Sequence, residues 1–393
     1  MEAPRRRLDA LSGLRFAAAL AILLFHYGGA LSAAAPSWVE RLRTGGYAWV
    51  GLFYLLSGFV LAHANPSPLT GAARRAFLAA RLARLYPAYL LAFLLFAPFA
   101  MARGWGEGPL APGRFVVVAA ACLLLVQAWV PHVARIWNAP GWSTSVVASF
   151  YVAFPALTAR LAPLSRRRLA LCALLAWGLT LALPLAYLAL APDGPGAMEL
   201  AREPRWLEAL KFHPLARAGE FVVGVCLGLL ARRGMSLGRA GAPVAALGLA
   251  ASIALLAIGT PTIPYVLLHN GLLLPAHALV VLGLTAAPES VLARLLGCRA
   301  GVVLGDAAFA LYALQEPLWR WARKLLAAPG VPPSRVFVMV FAAAAVATAI
   351  GVSRSLERPA RRWLRARLEV AALPGWSWLD RLAALGAPKA RAR

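Results

Sequence analysis

The sequence predicts an all-α polytopic membrane protein, a bundle of about ten transmembrane helices with one broken or re-entrant segment. Three observations predict it. First, 61% of the 393 residues are hydrophobic, only 14% are charged, and the mean hydropathy is +0.70. Soluble domains lie nearer roughly 45–50% apolar and about 25% charged. Second, the apolar residues gather in eleven runs, near 11–33, 46–63, 85–101, 114–131, 142–161, 169–191, 215–231, 241–259, 264–286, 302–319 and 335–353. Third, a net charge of +25, from 40 Lys and Arg against 15 Asp and Glu, falls mostly between those runs. In a soluble chain that surplus would suggest nucleic acid. Here it marks loops on the inner side of a bilayer, and no nucleic-acid partner is expected. Such a composition excludes a soluble enzyme, and 13 Trp, 9 Tyr and 16 Phe exclude an unpacked disordered chain.

Helices are the only sensible spanning element, since lipid offers backbone groups no partner and no strand alternation is visible. The first run follows Arg5-Arg6-Arg7, lacks a clean small-residue cleavage site, and reads as a retained first span rather than a signal peptide. It holds Arg15 and His26, eleven helical steps apart. Eleven steps of about 100° return to within roughly 20° of the starting face, about 16 Å further along the axis. Both side chains therefore point the same way. A neutral imidazole facing a cavity can take a proton from a hydroxyl; a membrane histidine can equally just bond another helix.

In the second run, Ser57-Gly58 lets another backbone approach closely, and His63 ends the run. Next comes RLARLYP, residues 81–87, where Arg81 and Arg84 share a helix face. Two guanidiniums so placed suit a diphosphate, and suit an inner-interface anchor as well.

Charge orients the runs. The N-terminus, the loop before Arg84, the segments around Arg166–Arg168, Arg232-Arg233 and Arg294–Arg299, and the C-terminus all fall inside. Both ends inside require an even number of crossings, so one of the eleven runs does not cross. The segment 142–161 is the expected broken piece: it opens with Pro140-Gly141, carries Ser143, Thr144, Ser145 and Ser149, and meets Pro155. Trp142 and Tyr151 could line a polar cavity there with the serines. Arg320, Arg323 and Lys324 fall outside in this scheme, as an exception.

Further along, loop 192–214 carries Asp193, Glu199, Glu203 and Glu208, and Glu220 lies within a span. His269 and His277, eight apart, differ by about 80° on a helix. With no third ligand at hand, no metal site is expected. Asp306, Tyr312, Gln315 and Glu316 mark the run 302–319. Cys122, Cys172, Cys226 and Cys298 show neither metal nor disulfide spacing. One transmembrane domain, 1–362, is expected, followed by a basic tail, 363–393, whose Trp363, Trp376 and Trp378 suit an anionic lipid interface. There is no Walker A loop, dinucleotide fingerprint or nucleophile elbow.

Seven blocks then stand in order over roughly residues 8–360: LDALSGLRFAAALAILLFHY, VGLFYLLSGFVL, RLARLYPAY, NAPGWSTSVVASFYVAFP, RAGEFVVGVCLG, LGDAAFALYALQEPL and LERPARRW. Together they resemble the membrane acyltransferase-3 family. That resemblance implies an O-acyltransferase moving an acyl group, acetyl by family habit, from acyl-CoA to a hydroxyl of a glycan or another cell-envelope or small-molecule acceptor. It implies a catalytic role for His26 with Arg15, and acyl-CoA binding at Arg81 and Arg84. Ser57, Trp142, Ser143, Ser145 and Tyr151 fall on recurring motif positions. With Tyr312 and Gln315 they are the expected cavity-lining residues. Acyl-CoA is then a donor substrate, and no cofactor is expected to stay bound. The setting implied is a bacterial inner membrane, multi-pass, with both termini cytoplasmic.

Three departures from the family pattern stand out. Val147 and Ala148 stand where the family has Glu, Gln315 where it often has His or another polar residue, and Gly51 where an acid is common. Glu220, Asp306 and Glu316 are the acids available as substitutes. A catalytically silent scaffold, motivated by Val147 and Gln315, and a small-molecule transporter, motivated by midplane polar residues, are the alternative readings.

Overall fold

The computed structural model describes residues 3–105, 112–199, 204–235, 237–259, 262–328 and 330–371. All regular elements among them are helical. The long ones are α1 (Ala3–Tyr27), α2 (Trp49–Ala64), α3 (Gly71–Trp105), α4 (Pro112–Leu123), α5 (Gly141–Leu161), α6 (Arg166–Leu190), α7 (Pro214–Arg232), α8 (Gly241–Gly259), α9 (Leu274–Ala286), α10 (Arg299–Leu326), α11 (Arg335–Val352) and α12 (Arg358–Ala371). Among the described residues, nine helices are long and apolar enough to cross a membrane. Helix α10, 28 residues long, also has the length to cross, although Asp306, Gln315 and Glu316 lower its hydropathy. Trp376 and Trp378 of the expected tail, and Glu203 of loop 192–214, lie outside the described residues.

The irregular segment is not where the sequence pattern suggests. Residues 142–161 form one continuous helix, α5, with Pro155 inside it. The preceding run, 114–131, is the broken one. Its helix α4 has only 12 residues, then Leu125 turns the chain at φ 58°, and two short 3-10 turns follow at Gln127–Trp129 and Pro131–Val133. Buried polar groups hold this non-helical stretch. The Ser145 hydroxyl donates to the Leu125 carbonyl at 2.7 Å and accepts from the Ala128 amide at 3.2 Å. Gln127 donates to the Gly141 carbonyl at 3.0 Å. Ser145, one of the residues that suggested a break in α5, thus serves the break in its neighbour.

Helices α2 and α7 pack most closely, and glycine makes this possible. A Cβ on Gly58 would collide with the Phe221 carbonyl and come within 2.8 Å of the Val225 amide; one on Gly224 would meet the Leu55 carbonyl. Small residues let two backbones touch where lipid gives no hydrophobic drive. Gly58→Ala should therefore cost about 1–3 kcal/mol, seen as earlier thermal denaturation in detergent. Gly351→Ala, where an added Cβ meets nothing within 4 Å, should be neutral.

Between α11 and α12 the helix widens into a π turn, Ser353–Glu357, which buries Ser353 and Glu357. The Ser353 hydroxyl donates to the Asp306 carbonyl at 3.3 Å, tying the turn to α10. Arg320, the outward exception to the charge pattern, is paired with Glu316 at 2.7 Å, while Lys324 rests over Phe99 and Trp321.

Candidate active site

Helices α1 and α10 run side by side in the same direction. Arg15 lies within electrostatic reach of Asp306, and one level further Tyr27 donates to Glu316 Oε2 at 2.7 Å. Close approach requires Gly305, whose Cβ would strike the Ser12 carbonyl. This pair sets Arg15 at one level of the bundle and His26 at another, as their spacing predicts.

Arg15 opens onto a cavity of about 860 Å³ of empty space, mouth included. The first, second, third, fifth and tenth helices share its wall. Arg15 and, from α3, Arg81 and Arg84 supply three half-buried guanidiniums. Ser57, Ser143, Thr144, Tyr54, Tyr151 and Tyr312 supply hydroxyls. The rest of the wall is apolar, and among the described residues no carboxylate belongs to it. Acids stand just outside: Asp306 is paired with Arg358 at 2.8 Å, and buried Glu357 lies within electrostatic reach of Arg84 and Arg361. A wall rich in arginine and free of acid is suited to an anion.

Of the expected lining residues, Ser57, Ser143, Tyr151 and Tyr312 are in this wall, and the Ser143 hydroxyl donates to Tyr312 Oη at 2.8 Å. Three others are not among its wall residues. Ser145 is consumed by the broken segment. Gln315 is fully buried and donates to the Tyr312 carbonyl at 3.0 Å. Trp142 packs on Phe212 (centroids 4.9 Å apart) and edge-on to Tyr54 (6.4 Å). Val147 lines the cavity, so the place of the expected Glu is an apolar patch of wall.

His26 stands apart from this cavity. It is exposed at the end of α1, with Phe25 at 4.8 Å and Tyr27 at 5.7 Å between ring centroids. Glu316 and Arg135 are the charges that act on it. Of the three candidate substitute acids, only Glu316 is near His26. Asp306 serves Arg358. Glu220 is buried against Arg217 at 3.0 Å, the pair being 2% and 0% exposed. Arg217 also meets His269 Nδ1 at 2.8 Å and donates to the His269 carbonyl at 2.5 Å. His269 in turn bonds Asn270 at 2.6 Å. Gly51 leaves room for this network: a Cβ there would come within 2.7 Å of Glu220 Oε1. His277 packs against the Trp49 ring at 5.3 Å. Sequence reasoning singled out neither Tyr54 nor Arg217. Their only signal was a polar group inside an apolar run.

Ten or so apolar helices around an arginine-lined cavity define a multi-pass membrane protein. The family model described as an acyltransferase domain, acyltransferase-3, matches residues 8–354. The chain belongs to that family and is a membrane acyltransferase. It is 29% identical to the acyltransferase MdmB of Streptomyces mycarofaciens over 385 residues, covering 94% of this chain and 95% of that one. It is also 40% identical over 100 residues to protein 2 in the picA locus of Rhizobium radiobacter, covering 25% of this chain and 48% of that protein. No solved structure matches the chain.

Proposed function

We propose that the protein moves an acyl group, acetyl in the simplest case, from acyl-CoA to a hydroxyl of a glycan or of another cell-envelope or small-molecule acceptor. The observation that carries this reading is the convergence of Arg15, Arg81 and Arg84 on one acid-free cavity wall. Guanidiniums bind phosphate oxygens in bidentate fashion, and a membrane-embedded site strengthens the attraction. The phosphates of the donor sit at this end, and the acyl end of its arm extends along the apolar wall towards Ser143 and Tyr312. Tyr312 connects the two levels, since it lines the cavity and lies within electrostatic reach of Tyr27, beside His26.

At the upper level His26 is the general base. As the acceptor oxygen bonds to the thioester carbonyl carbon, His26 takes the hydroxyl proton. The carbon–sulfur bond then breaks, and the leaving thiolate receives that proton. Glu316 supports the positive imidazolium that forms in between, taking the part of the carboxylate absent at Val147. The setting is a bacterial inner membrane with both termini in the cytoplasm, which puts the arginine end on the side where acyl-CoA is made.

Labelled acetyl-CoA tests the donor site in membranes. Arg81→Gln and Arg84→Gln should each raise the KM for acetyl-CoA about 10-fold or more, with a smaller effect on kcat. An unchanged KM in both would remove the arginines from donor binding.

A further inference from the structure

Two residues of the cavity wall carry hydroxyls that meet no partner among the described residues. Tyr54 is 0% exposed and Thr144 is 2% exposed; both line the cavity, and among the described residues neither buried hydroxyl has a hydrogen-bond partner. Leaving such a group unmet is costly, so a pair of them in one wall points to a polar atom that enters from outside. Neighbouring hydroxyls are already engaged: Ser143 with Tyr312, and Ser145 with the broken segment.

The Tyr54 ring is fixed from three sides. The Arg217 guanidinium lies 5.4 Å from its centroid, Phe150 stands edge-on at 5.4 Å, and Trp142 does so at 6.4 Å. Its hydroxyl is thus held in place before any ligand arrives. The electrostatic neighbours of Tyr54 are Arg217, Tyr312 and Glu220, whereas those of Arg15 are Arg84, Arg81, Tyr151 and Asp306. Tyr54 therefore belongs to the Tyr312 end of the cavity, away from the arginines, and Thr144 directly follows Ser143, which bonds Tyr312.

A hydroxyl both donates and accepts, so what enters there carries a polar atom to meet them and is otherwise apolar, since Val50, Leu56 and Val147 share the wall. A short acyl thioester fits that description. Its carbonyl oxygen accepts two hydrogen bonds and donates none, and its alkyl group suits the apolar patch. We infer that the hydroxyls of Tyr54 and Thr144 hold the carbonyl oxygen of the donor thioester. This assignment rests on the acyl-CoA reading above and adds the residues that recognise the acyl end.

The test compares two ligands on the purified full chain: acetyl-CoA, and S-ethyl-CoA, a thioether with the same carrier and no carbonyl oxygen. Wild-type protein should bind acetyl-CoA about ten-fold more tightly than the thioether. Tyr54→Phe and Thr144→Val should each reduce that preference several-fold while leaving thioether affinity unchanged, and should lower kcat about 10-fold or more. Thioether binding reports that each variant is folded, and the Thr144→Val variant, nearly isosteric, carries the test if Tyr54→Phe is not. Equal wild-type affinity for both ligands, or a preference that survives in the variants, overturns the hydroxyl assignment alone. Failure of wild-type protein to bind either ligand overturns the acyl-CoA reading, and this assignment with it.

Discussion

His26→Ala should lower the rate of acyl transfer by about 10²–10⁴-fold, the range a positioned general base contributes, while donor binding stays intact. The separation of levels is the reason. Arg15, Arg81 and Arg84 line the cavity and His26 does not, so removing the imidazole leaves the anion end untouched. Transfer from labelled acetyl-CoA, measured beside acetyl-CoA affinity, gives the two readouts. Loss of affinity in parallel with rate would show that His26 supports the fold or the donor site, and an unchanged rate would end its role as base. Because Glu316 acts on His26 and is already held by Tyr27 and Arg320, removing its charge should lower the rate less than removing the imidazole itself.

Arg217→Ala should destabilise the protein by about 3–5 kcal/mol, the cost of breaking a buried ion pair from one side. Arg217 and Glu220 are among the most deeply buried charges in the bundle, and Glu220 would lose the guanidinium that compensates it. The His269 carbonyl would lose its donor as well, and the His269 ring a polar contact. Loss of folded protein in a thermal stability assay in detergent checks this. Replacing both partners together, as Arg217→Met with Glu220→Leu, should recover much of the stability, because no charge is then left alone. If the single variant is as stable as wild type, the pair contributes nothing to the fold.

Much of this architecture was legible in the sequence because the bilayer forces it. Runs of apolar residues had to be helices, and the spacing of Arg15 and His26 set them at two levels of one helix. Arg81 and Arg84 sat three apart on a helix, and Ser57-Gly58 marked a close approach that the α2–α7 contact displays. The charge pattern also called for one irregular run among the eleven, and 114–131 is broken. Which run it would be was not readable from charge. Pro and Ser composition pointed to 142–161, yet a helix tolerates Pro155, and the hydroxyl of Ser145 turned outward to serve the loop beside it. A side chain's partner on another helix leaves no mark in the local pattern. For the same reason nothing local distinguished Glu316, near His26, from Glu220, committed to Arg217, or showed that Gly51 makes room for that carboxylate.

If the arginine wall holds a phosphate-bearing donor, as proposed, that hold has a kinetic consequence. A site that grips its donor by the phosphates grips the spent carrier equally well, because the handle is the same before and after transfer. Free coenzyme is then a competitor for the same cavity, and its departure becomes a step that can limit turnover. Preference for the loaded carrier has to come from the opposite end of the cavity, where the acyl group is the one part that differs. On the reading proposed above, the three arginines would give the protein its hold on a carrier, and the hydroxyls at the far end would decide whether that carrier is worth holding.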